Sequence, residues 1–224
     1  MNKGTVLASA LLLPLALVAC RKQEPAADVV ADTAPAAPAP AAVTEPAAAP
    51  PPAEVSEAQA KLDYATMEDG YINDAKAQWA TSAKASSAFG DANALPPDSQ
   101  DQNTAWQATG GVNGRAWTNN NQNIGFDWIE LAFERPAPAS GVRVVVNDNA
   151  AASITRVELI DAAGTAHPAW SGISDVKQDE RGPRTWFVRT FDATPYPVRA
   201  VKLTFANNVA SGYKEVDAVQ LVAP

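Results

Sequence analysis

A stretch rich in proline and alanine near the N-terminus limits the part of this chain that can fold. Between Pro25 and Pro52 there are eight prolines among alanines, with scattered acidic residues and no aromatic residue. Such a segment cannot bury enough apolar surface to offset the loss of chain entropy on folding. We therefore predict a disordered tether over residues 20–57 and one domain over residues 58–224, which is long enough to bury a sizeable core.

The tether is expected to be extended, because proline-rich chains favour polyproline II at about 3.1 Å per residue. Residues 21–57 would then hold the domain up to roughly 100 Å from the point of attachment. A neutral spacer, or a segment removed by proteolysis, has the same composition.

Residues 1–19 have the pattern of a secretory signal peptide. Lys3 precedes an apolar run from Val6 to Val18, and the small residue Ala19 precedes Cys20, the only cysteine of the chain. The run is too short to remain in a bilayer as a spanning helix. One cysteine also excludes an intramolecular disulfide.

The residues Leu17-Val18-Ala19-Cys20 resemble the lipobox of bacterial lipoproteins. The resemblance implies cleavage before Cys20, diacylglycerol on its thiol and, in many Gram-negative bacteria, a further acyl chain such as palmitate on the new amine. Two or more acyl chains give stable membrane attachment where one does not. Arg21, in place of aspartate, implies sorting to the outer membrane. The alternatives are an uncleaved signal anchor and a secreted protein with an incidental cysteine.

The charge of the chain argues against two classes of partner. The formal net charge is −8, from 17 Lys and Arg against 25 Asp and Glu. Nucleic-acid binding needs a basic patch, so we expect no nucleic-acid partner. An acidic chain also gains nothing from an anionic membrane surface, so attachment has to come from lipid or from a protein.

The rest of the chain has the pattern of β-strands. Apolar and polar side chains alternate with a period of two over residues 128–133, 142–147, 156–160, 200–205 and 217–221. Turn residues separate these stretches, as in Pro136-Ala-Pro138 and Asp161-Ala-Ala-Gly164. The pattern predicts an all-β fold, an antiparallel sandwich or jelly roll. One short helix is predicted over residues 56–71, with Val55, Ala58, Leu62 and Ala65 near helical spacing.

Four motifs resemble the discoidin-like (coagulation factor type C) members of the galactose-binding-like jelly rolls. They are Trp79-Ala-Thr-Ser-Ala-Lys-Ala-Ser-Ser87, Asn103-Thr-Ala-Trp106, Trp128-Ile-Glu-Leu-Ala-Phe133 and Tyr213-Lys-Glu-Val-Asp-Ala-Val-Gln-Leu221. The resemblance implies a sandwich with binding loops at one end. Many relatives bind a sugar, a lipid head group or a protein there, and some hold a structural calcium ion.

A calcium site is implied by the same resemblance. The calcium loop of relatives has Asp-Gly followed by Thr-x-Trp; this chain has Thr104-Ala-Trp106, but Ser99-Gln100 stand at the Asp-Gly position. The implied ligands are Asp98, Asp101, Thr104 and Glu215, and calcium takes six to eight oxygen ligands. Alternatively, Asp98 and Asp101 only form turns.

The loop over residues 110–123 is the predicted ligand-binding segment. Its candidate residues are Arg115, Trp117, Asn119, Asn120 and Asn121. Sugar-binding sites stack an aromatic ring on the sugar and bind the hydroxyls with polar side chains, so we expect Trp117 to be exposed. The alternative is a polar loop in which Trp117 packs over the core. Trp106 and Trp128 are predicted to be structural.

No residue set predicts catalysis. His167 is the only histidine, there is no nucleophile-elbow motif, and Glu215 and Asp217 share a strand face without a predicted cleft. We expect a non-enzymatic, lipid-anchored protein that binds a glycan or envelope polysaccharide. A protein-interaction lipoprotein of the envelope is the alternative, followed by a hydrolase of envelope polymers.

Replacing Cys20 by serine tests the anchor. Since the thiol is the only predicted acylation site, Cys20→Ser should move the protein from the membrane pellet to the soluble fraction on ultracentrifugation. A variant recovered in the pellet as fully as the wild type would contradict lipid attachment at Cys20.

Overall fold

The structure is a computed structural model that describes residues 52–89, 103–147 and 150–224. The signal peptide, Cys20 and residues 21–51 of the predicted tether lie outside these residues. Residues 52–57 were predicted to be disordered but form the start of the first helix, so the boundary predicted at residue 58 is too late. Two helices, α1 (Pro52–Ile72) and α2 (Ala150–Ser153), accompany a 3-10 turn at Ala105–Ala108. The strands are β1 (Ala77–Ala85), β2 (Trp117–Thr118), β3 (Phe126–Ala137), β4 (Gly141–Asn147), β5 (Ile154–Asp161), β6 (Ala166–Ser171), β7 (Thr185–Thr190), β8 (Val198–Ala206) and β9 (Glu215–Val222).

The strands form two antiparallel layers that share β1. The layer with the order β6-β5-β8-β3-β1 is here called the front sheet, and the layer with the order β1-β9-β4-β7, with β2 beside β9, the back sheet. Strand β1 pairs with β9 up to Trp79 and with β3 from Ala80, with a register shift between Ala80 and Ser82. A bulge of this kind lets a strand bend from one sheet into the other. The predicted antiparallel jelly-roll sandwich is confirmed.

The core lies between the sheets, on the faces that the alternating pattern predicts. Ile129 and Leu131 of β3 are fully buried, and Ile129 is opposite Leu203 of β8. Val144 and Phe187 face them from the back sheet and belong to the same buried cluster. All five predicted strands are present.

Helix α1 covers the outer face of the back sheet. The helix predicted over residues 56–71 is confirmed, but the predicted buried side is wrong, since Leu62 is 60% exposed and Tyr64 only 3%. Tyr64, Met67 and Tyr71 pack against Trp186 and its buried neighbours on the sheet. Large aromatic side chains bury more apolar area than the alanines do, and this determines which side faces the sheet.

Polar contacts fix α1 in place. Glu68 accepts hydrogen bonds from Arg184 at 2.8 Å and from the Trp186 indole at 3.3 Å. The Tyr64 hydroxyl donates to the Arg184 carbonyl at 3.0 Å. Helix α1 is therefore an integral part of the domain. Among the described residues, no helix has the length and apolar content required to cross a membrane.

Strand register defines one end of the sandwich, here called the loop end. Phe126 at the start of β3 is opposite Ala206 at the end of β8, and Ile154 at the start of β5 is opposite Phe205. The segments after β1, before β3, after β6 and after β8 therefore meet at this end. They comprise residues 86–89, 119–126, 171–173 and 206–214.

Adding a methyl group at Gly182 should disturb the packing of α1, because its Cβ would lie 2.2 Å from the Tyr64 ring. We expect Gly182→Ala to lower the free energy of unfolding by about 1–3 kcal/mol in a urea titration. Gly70→Ala is the matched control, since its Cβ meets nothing within 4 Å. Alanine in a helix should stabilise there by up to about 1 kcal/mol. Equal effects of the two substitutions would contradict the docking of α1.

Candidate functional site

The predicted binding loop is divided in two by the structure. Arg115 is exposed on a turn whose neighbours Asn113 and Gly114 donate their backbone N–H groups to Asp217, at 3.2 and 3.0 Å. Asn119, Asn120 and Asn121 lie instead at the loop end. The structure therefore brings the three asparagines together and leaves Arg115 on a separate turn.

Trp117 is not an exposed ring, and this corrects the expectation from sequence. Its side chain is 0% exposed and belongs to the core. The indole N–H donates to the Ser87 carbonyl at 2.8 Å, and the ring lies 5.5 Å from that of Phe205. Pairing of Trp117 with Val216 of β9 turns the side chain inward. Trp117 cannot stack on a sugar in this position, so the alternative of a tryptophan packed in the core is the correct one.

Asp127 is the centre of a buried hydrogen-bond network at the loop end. Its side chain is 2% exposed and accepts hydrogen bonds from the hydroxyls of Ser86 and Ser87, both at 2.8 Å. The amides of Asn119 and Asn207 donate to its other oxygen, both at 2.9 Å. One carboxylate thus joins the segments after β1, before β3 and after β8.

The charge of Asp127 is stabilised by these donors. Burial alone would raise the pKa of the carboxyl, but the hydrogen bonds from Ser86, Ser87, Asn119 and Asn207 outweigh burial and leave the pKa below its usual value. Asn119 is itself fully buried, so it supports the site rather than facing a ligand. Asn120 and Asn121 are exposed.

A second buried charged side chain, Lys214, connects the segments before β3 and after β8. Its side chain is 0% exposed, and its ammonium donates to the carbonyls of Gln122 at 3.0 Å, Ala210 at 2.9 Å and Gly212. Burial lowers the pKa of Lys214, and the charge of Asp127 opposes this shift. Sequence reasoning missed Lys214, because a lysine beside a strand is usually exposed.

Apolar side chains are exposed mainly at this end. Among the described residues, five of the seven exposed large hydrophobic side chains belong to it; these are Phe89, Ile124, Phe126, Ile173 and Val209. Phe89 makes an edge-on contact with the Tyr213 ring at 5.1 Å. Exposed apolar groups that collect in one region mark a binding surface more often than scattered ones do.

A groove of about 530 Å³ opens beside these residues on the outer face of the front sheet. It is here called the Phe126 groove. Its lining residues are Phe126, Thr155, Arg156, Ser171, Gly172, Thr204 and Ala206. Phe126 is 68% exposed. An aromatic ring, three hydroxyl side chains and one guanidinium are the groups that bind a sugar ring and its hydroxyls.

Two of the four implied calcium ligands can be placed. Thr104 is fully buried, and its hydroxyl has no hydrogen-bond partner among the described residues. Glu215 accepts a bond from Asn147 at 3.2 Å and is opposite Thr118, whose backbone N–H donates to Asn103 beside Thr104. A hydroxyl and a carboxylate are oxygen groups of the kind that calcium prefers. Asp98 and Asp101 lie outside the described residues, and calcium stays a prediction. Within the described ranges, no three His, Cys, Asp or Glu side chains cluster to hold a metal.

The other residues considered for chemistry have local partners. His167 pairs with Asp161 at 2.8 Å and stacks on Tyr196, with ring centres 4.0 Å apart. This pair lies at the end opposite the loop end, since Asp161 is opposite Val198 at the start of β8. Trp128 lies under the Lys202 ammonium, which is 4.7 Å from the ring centre.

Comparison with known proteins gives structural neighbours only. No protein-family model matches the chain, and no curated protein matches it. The chain resembles chitosan-binding module 1 of a chitosanase/glucanase from Paenibacillus sp. IK-5, at 14% identity and a TM-score of 0.48, covering 63% of this chain and 94% of that one.

Two modules from Clostridium perfringens resemble it as well. One is a family 32 module solved with GalNAc-β-1,3-galactose, at 14% identity and a TM-score of 0.46, covering 68% of this chain and 99% of that one. The other is the family 32 module of NanJ, solved with galactose, at 15% identity and a TM-score of 0.46, covering 67% and 96%. These neighbours are carbohydrate-binding modules. At such values the functional assignment has to rest on the residues of the site.

Proposed function

We propose that this chain is a lipid-anchored protein of the bacterial envelope that displays a non-catalytic glycan-binding domain. The anchor is Cys20 at the outer membrane of a Gram-negative cell, and the residues from Arg21 up to helix α1 form the tether. The observation that carries the binding function is the Phe126 groove, which places an exposed aromatic ring beside hydroxyl side chains and Arg156.

The surroundings of the groove support a binding role. Asp127 is adjacent to Phe126 in β3 and accepts hydrogen bonds from five side chains of three segments. Phe126 therefore stands on backbone whose position is fixed before any ligand arrives. Preorganisation of this kind reduces the entropy lost on binding, and so raises affinity for a given contact area.

The amides of the loop end add polar groups of the kind that bind sugar hydroxyls. Asn120 and Asn121 are exposed, and Asn121 is held by its own contacts with Asp127, at 3.3 and 3.5 Å. With Phe126, they combine apolar area and directional donors and acceptors at one end of the sandwich.

A protein partner at the same end is the second candidate. The exposed aliphatic side chains of Ile124, Ile173 and Val209 favour it, because aliphatic groups contribute little to stacking on sugars but much to protein interfaces. In that case the glycan experiments below would be negative, and crosslinking in cells would capture one envelope protein whose recovery depends on Ile124 and Ile173.

Removing the Phe126 ring should weaken glycan binding. We expect wild-type protein to bind a set of glycans on an array, and Phe126→Ala to lower the affinity for them by about tenfold or more, since a loss of about 1.4 kcal/mol is tenfold. Leu62→Ala is the matched control, as Leu62 is 60% exposed against 68% for Phe126 but lies on α1. Wild-type protein that binds no glycan, or binding unaffected by Phe126→Ala, would refute the proposal.

A further inference from the structure

The guanidinium of Arg156 makes one long ion pair among the described residues. Its side chain is 56% exposed, and the nearest carboxylate, that of Glu158, is 3.8 Å away, which is beyond hydrogen-bond distance. Among the described residues, its guanidinium donates no hydrogen bond. By contrast, Arg143, Arg184 and Arg189 each donate to a carboxylate at 2.8 to 2.9 Å.

Among the described residues, no other charged side chain lines the Phe126 groove. Strand pairing places Arg156 opposite Thr204 on one side and Ser171 on the other. The Thr155 hydroxyl already donates to the Thr204 carbonyl at 3.3 Å. In the described part of the chain, the lining therefore combines one cation, three hydroxyl side chains and the Phe126 ring, without a carboxylate.

The charged side chains next to the groove form a row with equal numbers of positive and negative charges, and Arg156 adds one positive charge to it. Strand register places Lys84, Glu130, Lys202 and Glu158 in a row across four strands of the front sheet, with alternating sign. Lys84 and Glu130 are 3.1 Å apart. Arg156, one row nearer the loop end, adds a positive charge to a balanced row, in a chain whose net charge is −8.

We infer that the Phe126 groove selects acidic glycans, and that Arg156 binds the carboxylate of a uronic acid residue. The inference rests on the proposed glycan-binding function and names the class of ligand. A planar guanidinium with free donors binds a carboxylate through two parallel, charge-assisted hydrogen bonds, which are stronger than the bonds it makes to the neutral hydroxyls of a sugar. The Phe126 ring stacks on the apolar face of the same or the adjacent sugar.

The test compares one polymer with and without its charge. Full-length protein purified in detergent is titrated with polygalacturonate and with the same polymer after methyl esterification, which masks the carboxylates. Wild-type protein should bind the free acid at least about tenfold more tightly. Arg156→Gln should remove this preference, bringing both polymers to the affinity of the ester. Arg115→Gln, which removes an exposed arginine away from the groove, should leave the preference intact.

The outcomes separate this inference from the function on which it rests. Equal binding of both polymers by the wild type, or an unchanged preference in Arg156→Gln, overturns the acidic-glycan assignment. In either case, loss of binding in Phe126→Ala would still support the groove as a glycan site. Equally tight binding of dextran sulfate also overturns the assignment, because it shows general attraction to polyanions. Wild-type protein that binds neither polymer but binds neutral glycans overturns it too. Absence of binding to any glycan refutes the proposed function itself.

Discussion

The loop end depends on a carboxylate buried among neutral donors. An ionised group removed from water costs several kcal/mol unless its oxygens are hydrogen-bonded. Asp127 meets this condition with two serine hydroxyls and two asparagine amides. Since these donors come from three segments that are distant in sequence, the charge cannot be satisfied unless the segments come together. This requirement fixes the positions of the exposed residues of the site.

Lys214 complements Asp127 at the same end. Its ammonium is bonded to carbonyl oxygens of two loops, and its backbone N–H donates to the side chain of Asn119 at 2.7 Å. Asn119 thereby connects the buried anion with the buried cation. The segments of the loop end are fixed by hydrogen bonds to the buried Asp127 and Lys214 side chains as well as by their own turns. These bonds explain how polar segments can form a defined surface.

Much of the fold could be predicted from sequence, because alternation reports directly which side of a strand faces the core. Four strands, β1, β2, β6 and β7, were not predicted because they lack that alternation. For example, β6 is an edge strand that contains Pro168, and β2 has only two residues. The buried side of α1 was misjudged for a similar reason. Small residues at helical spacing outnumber Tyr64 and Tyr71, but the aromatic side chains bury the greater area.

Only part of the candidate site could be predicted from sequence, because the residue pattern around Trp117 was misleading and the one at the start of β3 was overlooked. Trp117 stands among glycines and asparagines, which is typical of an exposed loop, yet its pairing with β9 turns it inward. The informative pattern was in β3, where Asp127 occupies the inward position and Phe126 and Trp128 the outward ones. In this strand the usual pattern is reversed, since the charged side chain faces inward and the aromatic rings face outward. Such a reversal indicates a functional surface and can be recognised from sequence.

Helix α1 and the groove occupy different sheets of the sandwich. The chain enters the domain along the back sheet, whereas Phe126 and Arg156 lie on the outer face of the front sheet. Helix α1 therefore does not cover the groove.

The most direct test of the central role of Asp127 is the free energy of unfolding of the wild type and of Asp127→Asn as a function of pH. Because the pKa of Asp127 is lowered in the folded state, its stabilisation is complete above about pH 4, near the pKa of the unfolded chain, and is lost as the pH falls through the lower, folded value. The variant should therefore be about 2–4 kcal/mol less stable at pH 7, with a difference that narrows below about pH 4. Equal stability at pH 7, or a difference that does not change with pH, would contradict the account.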